Sequence, residues 1–182
     1  MTDSGINSPF ELLGSIEQQV RQHAAPLPEH QARAGSWKGI AFRLKEWHLV
    51  AKQGMVREVL IPPRITRVPG THPWVIGITN VHGNILPVVD LADFFWGERL
   101  PTAQSNRILL VCEGELECGV LVSEVMGIRH FLLQDEYREP HPFPAELSDF
   151  LVGCNRHQGV LWGEFSMQAL VESPGFIDLS MG

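Results

Sequence analysis

The stretch Trp74-Val75-Ile76-Gly77-Ile78-Thr79-Asn80-Val81-His82-Gly83-Asn84-Ile85-Leu86-Pro87-Val88-Val89-Asp90 decides the fold. Val75, Ile76 and Ile78 lead into Asn80-Val81-His82-Gly83-Asn84, and Ile85, Leu86, Val88 and Val89 lead out, which reads as strand, tight turn, strand. Pro87 has no N–H to give to a ladder, so it belongs at an edge or a bulge. Asp90 has the short acceptor side chain of a helix N-cap, and Leu91, Phe94 and Phe95 suggest a short helix behind it.

The same grammar extends in both directions. Upstream, Ile40, Phe42 and Leu44 alternate with Ala41 and Arg43 as in a half-buried strand, and Trp47 to Ala51 follows after Lys45-Glu46 to complete a hairpin. Met55 to Leu60, closed by Pro62-Pro63, is predicted as a single turn or a short helix. Downstream, Arg107 to Cys112 pairs with Cys118 to Val122 across Glu113-Gly114-Glu115, and Pro140-His141-Pro142-Phe143-Pro144 is a rigid loop. Phe150 to Asn155 pairs with Val160 to Glu164, and Ser166 opens a last helix through Leu170 and Val171. The pattern Gly77…Asn80…His82-Gly83 returns, with a gap, as Gly153…Asn155…His157…Gly159, a hint of two similar β units. Many short strands separated by Gly and Pro turns argue for β-barrels rather than a parallel sheet.

Residues 8–25 carry a helix signal of another kind. Ser8 caps, Pro9 fits the first helical position and Glu11 completes a capping box, while Phe10, Leu13, Ile16, Val20 and Ala24 form one apolar stripe. The stripe either packs on its own barrel, docks on another protein or pairs with a second copy. Residues 26–36 read as a polar linker.

Composition narrows the function. In 182 residues, 44% are apolar and 19% charged, which is enough apolar surface for a folded core. The net charge is −7 and no run of Lys and Arg is dense enough to track a phosphate backbone, so nucleic acid is not an expected partner. Acidity also disfavours adsorption to anionic lipid, so membrane association is expected only through another protein. Met1-Thr2-Asp3-Ser4-Gly5 does not open a secretory signal, the apolar runs are strand-sized, and Cys112, Cys118 and Cys154 make no C-x-x-C pair. These features suit three small buried hydrophobes in a reducing cytosol.

Chemistry is sparse. The eight histidines are scattered, with no H-E-x-x-H and no paired cysteines, so no metal is expected. There is no G-x-S-x-G, no G-x-G-x-x-G and no P-loop, so neither a nucleophile nor a bound cofactor is expected. Cys154 beside His157 is the one arrangement that could serve a small hydrolase, although Cys154 falls inside a predicted strand.

Val56-x-Glu58-Val59, Val68-Pro69, the run Gly77 to Leu91, Gly119-Val120-Leu121-Val122, Glu124-Val125, Leu151-Val152-Gly153 and Gly159-Val160-Leu161 together resemble the CheW-like domain of bacterial chemosensory systems. The resemblance covers roughly residues 37–173, leaving 1–36 as a helical extension with its linker and 174–182 as a tail. Ser8-Pro9-Phe10-Glu11-Leu12-Leu13 resembles the N-terminal addition of the PilI-type adaptors of twitching motility. The resemblance implies an all-β fold of two intertwined five-stranded SH3-like barrels with short helices. It also implies a non-catalytic adaptor joining the cytoplasmic tip of a methyl-accepting chemoreceptor to the regulatory domain of a CheA-type histidine kinase. Such a protein would be cytoplasmic, recruited to membrane receptor arrays, and would serve type IV pilus control or, alternatively, flagellar chemotaxis.

Carried over residue by residue, the resemblance implies receptor contacts at Val56, Glu58, Gly77, His82 and Gly119. For Val56 and Val59 the other reading is a packed one-turn helix. At 82 the family's usual Arg is His82, so pairing with Glu58 would be weaker and pH-sensitive if the two face each other. Ser123 stands where many relatives carry Asp, and reads as a solvated strand end or as a change of partner.

Overall fold

The computed structural model describes residues 35–113, 116–138 and 142–177. The stripe of residues 8–25 and the tail beyond Ile177 lie outside them. Ten strands follow in chain order: β1 (Ser36–Leu44), β2 (Trp47–Lys52), β3 (Val56–Leu60), β4 (Val75–Val81), β5 (Asn84–Asp90), β6 (Arg107–Glu113), β7 (Leu116–Val122), β8 (Glu124–Leu132), β9 (Leu151–His157) and β10 (Val160–Phe165). Among the described residues, four short α-helices punctuate them: α1 (Leu91–Trp96), α2 (Ala145–Ser148), α3 (Met167–Glu172) and α4 (Pro174–Ile177). The strands form two five-stranded sheets, ordered β8-β1-β2-β10-β9 and β3-β6-β7-β5-β4. Antiparallel pairs dominate, with one parallel pair in each sheet, β2 with β10 and β5 with β7.

These sheets are built by exchange. The chain consists of two repeats, β1 to β5 with α1 and β6 to β10 with α3, and each sheet takes its first two strands from one repeat and the remaining three from the other. The correspondence holds to single registers. In one repeat Val75 pairs with Val89 and Gly77 with Val88 across a bulge; in the other Leu151 pairs with Phe165 and Gly153 with Glu164 across the same bulge. The Asp90 N–H donates to Trp74 O at 2.8 Å, and the Ser166 N–H to Phe150 O at 2.8 Å. Asp90 and Ser166 are both N-caps, accepting from the first turns of α1 and α3. The His82-Gly83 and Gln158-Gly159 turns both hold two central residues at positive φ, the I′ arrangement that matches strand twist. His82 therefore corresponds to Gln158, not to His157, and Gly77 and Gly83 align with Gly153 and Gly159 without the gap that aligning the Asn and His positions had demanded.

The core follows from this exchange. β1 buries Phe42 and Leu44 on one face and Ala41 on the other, and β6 buries every residue from Ile108 to Val111. Phe42, Leu49, Val89, Ile108, Leu109 and Val120 join one large cluster drawn from both sheets. Ala41, Val50, Phe131 and Trp162 fill the inside of one barrel, and Val81, Leu86 and Leu110 the inside of the other. Each sheet is thus buried on two faces, which is why its central strands read as continuous apolar runs.

Two sequence expectations are corrected, and one strand was not anticipated. Val56–Leu60 is strand β3 rather than a turn or short helix: it pairs with β6, and β-branched Val56 and Val59 suit that pleated position. β8 was not anticipated, because its polar and apolar residues do not alternate and a bulge interrupts its register between Ala41 and Phe42. Pro87 sits on an interior strand instead of an edge. It is tolerated because the ladder to β7 begins only at Val88, and because Ile78 opposite it turns its own N–H and C=O outward to Thr66.

Candidate functional site

The most distinctive surface lies on the seam of the β3-β6-β7-β5-β4 barrel. A bulge leaves Arg57 as the extra residue of β3, with Val56 opposite Val111 and Glu58 opposite Leu110. Val56 turns inward, 6% exposed, and Arg57 reaches out to Glu117 at 3.0 Å. Glu58 then meets the β4–β5 turn, where its Oε2 lies 2.9 Å from His82 Nε2. His82 is held at φ 52° and Gly83 at φ 93°, and the Gly83 N–H donates to Asn80 Oδ1 at 2.9 Å. Beneath this clasp Leu60 packs against Val81, Leu86 and Leu110.

Beyond Leu60 the chain continues as a strap along β4. Thr79 Oγ1 donates to Arg64 O at 3.0 Å, and Thr66 exchanges two 2.8 Å backbone bonds with Ile78. Gly77, at φ 142°, allows this approach, because a Cβ there would overlap the Thr66 carbonyl. The second repeat has the same strap, with the Tyr137 N–H donating to Cys154 O at 2.8 Å. The clasp itself is not repeated: the positions matching Glu58 and His82 are Gly127 and Gln158.

Of the five residues implied by the resemblance, Glu58 and His82 are brought together at the surface. The other three are buried. Val56 belongs to the inter-sheet core. Gly77 serves the strap, and a Cβ at Gly119 would come within 2.8 Å of Ile108 Cγ2. Missing from the sequence reading were Ile61 and Ile85, exposed apolar residues beside the clasp, 74% and 68% open to solvent.

The remaining candidates resolve differently. Ser123 is not a solvated strand end: it is 8% exposed, its N–H donates to Arg43 O, and its Oγ accepts from the Lys45 N–H at 2.9 Å. It borders a cleft of about 600 Å³ whose cations are all matched, Arg43 with Glu124, Lys45 with Glu98 and Arg99 with Asp93. Cys154 and His157 stand three residues apart on β9 and so point to opposite faces. Burial pushes the Cys154 thiol up to about 11, and His157 Nδ1 faces Asp135 at 3.2 Å. A thiol held protonated, away from its base, is no nucleophile. Among the described residues, no three His, Cys, Asp or Glu side chains gather as a metal site, and no helix is long and apolar enough to cross a membrane.

Residues 38–174 match the CheW-like domain. The chain belongs to the CheW-like family. Over 178 residues this CheW-like chain is 38% identical to Protein PilI of Pseudomonas aeruginosa, covering 98% of its own length and 99% of that protein. It is 32% identical over 63 residues to Chemotaxis protein CheW of Bacillus subtilis, 35% of this chain and 40% of that one. In fold it is similar to the scaffolding protein TtCheW of Thermoanaerobacter tengcongensis, with a TM-score of 0.67 and 24% identity over 81% of this chain and 95% of the other. The two intertwined SH3-like barrels are thus the family's fold, and the CheW-like chain is a scaffold of the adaptor class.

Proposed function

We propose that this protein couples the cytoplasmic tip of a methyl-accepting chemoreceptor to the regulatory domain of a CheA-type histidine kinase, in the control of type IV pilus twitching motility. The observation that carries the reading is the near full-length similarity to PilI, which includes the N-terminal addition as well as the barrels. The receptor tip meets the seam bearing Glu58 and His82, and the kinase domain meets the other barrel. A groove of about 530 Å³ supports the second assignment; it is lined by Trp37, Lys52, Tyr137 and the exposed side chains of Leu133 and Val152. Holding two proteins on the two barrels of one chain requires no covalent chemistry. The protein resides in the cytoplasm at receptor arrays, and its contact with the membrane runs through the receptor.

The test is a pull-down of the full chain with a receptor hairpin tip and, separately, with a kinase regulatory domain. Glu58→Arg should lose the receptor and keep the kinase, and Val152→Glu should do the reverse. Binding of both partners by Glu58→Arg would move the receptor surface elsewhere. A preference for flagellar over pilus receptor tips would favour flagellar chemotaxis.

A further inference from the structure

Resting on that reading, we propose that Asp135 and His157 are positioning residues for the kinase-binding groove: their contact sets the second strap against β9, and sets it more firmly when the imidazole is protonated. This strap, residues 133–138, leaves the end of β8. Leu133 and Tyr137 of the strap line the groove together with Val152 of β9, while Asp135 and His157 stand outside its lining.

The two straps are held by different means. Thr66 exchanges two 2.8 Å backbone bonds with Ile78, and Gly77 lets the first strap lie directly on β4. The second strap gives β9 one bond of that length, from the Tyr137 N–H to Cys154 O, and side chains add to it. Arg156 Cζ lies 4.7 Å from the centre of the Tyr137 ring, and His157 Nδ1 lies 3.2 Å from Asp135 Oδ2. The same Oδ2 accepts the Leu132 N–H at 2.9 Å, so one carboxylate oxygen joins the end of β8, the strap and β9. The side chains of His157 and Asp135 are only 28% and 15% exposed, against 71% and 39% for His82 and Glu58, so salt screens this pair less.

An ionised carboxylate only accepts, so His157 Nδ1 carries the hydrogen whether the ring is neutral or charged. Protonation adds a full charge to a bond already in place and makes it charge-assisted, about twice as strong as a neutral one. Imidazole is the side chain that ordinarily makes this change between about pH 5 and 8. The charges on the surrounding elements are mostly engaged: Glu136 by Arg138 at 3.0 Å on the strap, and Glu164 on β10 by Lys52 at 2.8 Å, while Arg156 on β9 covers Tyr137. On β8 the Phe131 ring stands 5.5 Å from the imidazole; Arg129 shares the face of Phe131 and opposes a second cation there, and His130 lies on the opposite face. Asp135 is the group in direct contact with the ring, so the pair tightens as the ring gains its proton.

The experiment measures, at about pH 6 and about pH 8, the affinity of the full chain for a kinase regulatory domain and the hydrogen-exchange protection of the Tyr137 N–H, corrected for intrinsic exchange. From the higher to the lower pH the parent chain should gain about threefold, in affinity and in protection, over both His157→Gln and Asp135→Asn. His130→Gln should keep the gain. Any titration of the kinase domain itself is common to all four chains and drops out of the comparison. A parent chain without the gain, or its loss in His130→Gln instead, would overturn the inference and leave the coupling function standing. If the parent chain binds no kinase domain while Tyr137 protection still responds to pH through His157, the coupling reading falls and the positioning of the strap stands.

Discussion

His82 stands where the family resemblance implies an Arg. Its contact with Glu58 is exposed, and a surface pair of this kind contributes about 1 kcal/mol at most, so the clasp is not what closes the barrel; the Leu60, Val81, Leu86 and Leu110 packing does that. His82→Arg should leave chemical denaturation unchanged within about 1 kcal/mol and preserve receptor binding, because a guanidinium reaches the same carboxylate. A large loss of binding in titration would show that the imidazole itself is read by the partner. Cys118 makes a prediction of a different sort. Burial lifts its thiol from an ordinary 9.0 to about 12. Between those values the unfolded chain binds fewer protons than the folded one, so this group's contribution is fully present below about pH 9 and is lost as pH rises towards 12. Cys118→Ala should therefore lose stability less steeply than the parent over that alkaline range, as urea melts at several pH values would read. Equal slopes would mean that Cys118 is not desolvated in solution.

At the scale of elements, both repeats carry a strap, and the glycine beneath it sets them apart. Gly77 needs φ 142° and leaves no room for a Cβ against Thr66, whereas in the second repeat a Cβ at Gly153 would find only Glu164 Oε2, at 3.7 Å. Gly77→Ala should thus destabilise by more than about 1 kcal/mol and loosen the Thr66–Ile78 bridge. Gly153→Ala should stay within about 0.5 kcal/mol, and hydrogen exchange at Thr66 and Ile78 would distinguish the two. Both glycines were visible in the sequence, and so were the hairpins around them, because period-2 alternation, I′ turns and capping residues are local signals. β3 was hidden for the opposite reason. Five residues ending in prolines look like a helical turn, and only pairing with β6, some fifty residues away, makes them a strand. Glu58 and His82 entered through family resemblance, but their 2.9 Å contact depends on that same long-range pairing. The isoleucines beside them follow no period and could be recognised as a patch only once the strap was laid along the hairpin.

On the scale of the whole molecule, the exchange of strands makes the two barrels one folding unit. The internal repetition was readable in the glycines of the two hairpins, yet nothing local tells β1 to leave its own repeat and pair with β8, or β2 to pair with β10. That choice is made by the large cluster, which needs Phe42 and Leu49 from one sheet packed with Val89, Ile108 and Val120 from the other. Separate halves, residues 35–103 and 104–177, would each hold an unpaired β-hairpin and half of that cluster. Neither half should show a cooperative melt alone, since isolated hairpins with an uncovered apolar face are unstable in water. Mixed together, the halves should recover the strand signal in circular dichroism and a single transition, because all the native pairings are again available. An independent melt of either half would mean that each repeat can close a barrel by itself, and that the exchange is not needed for folding.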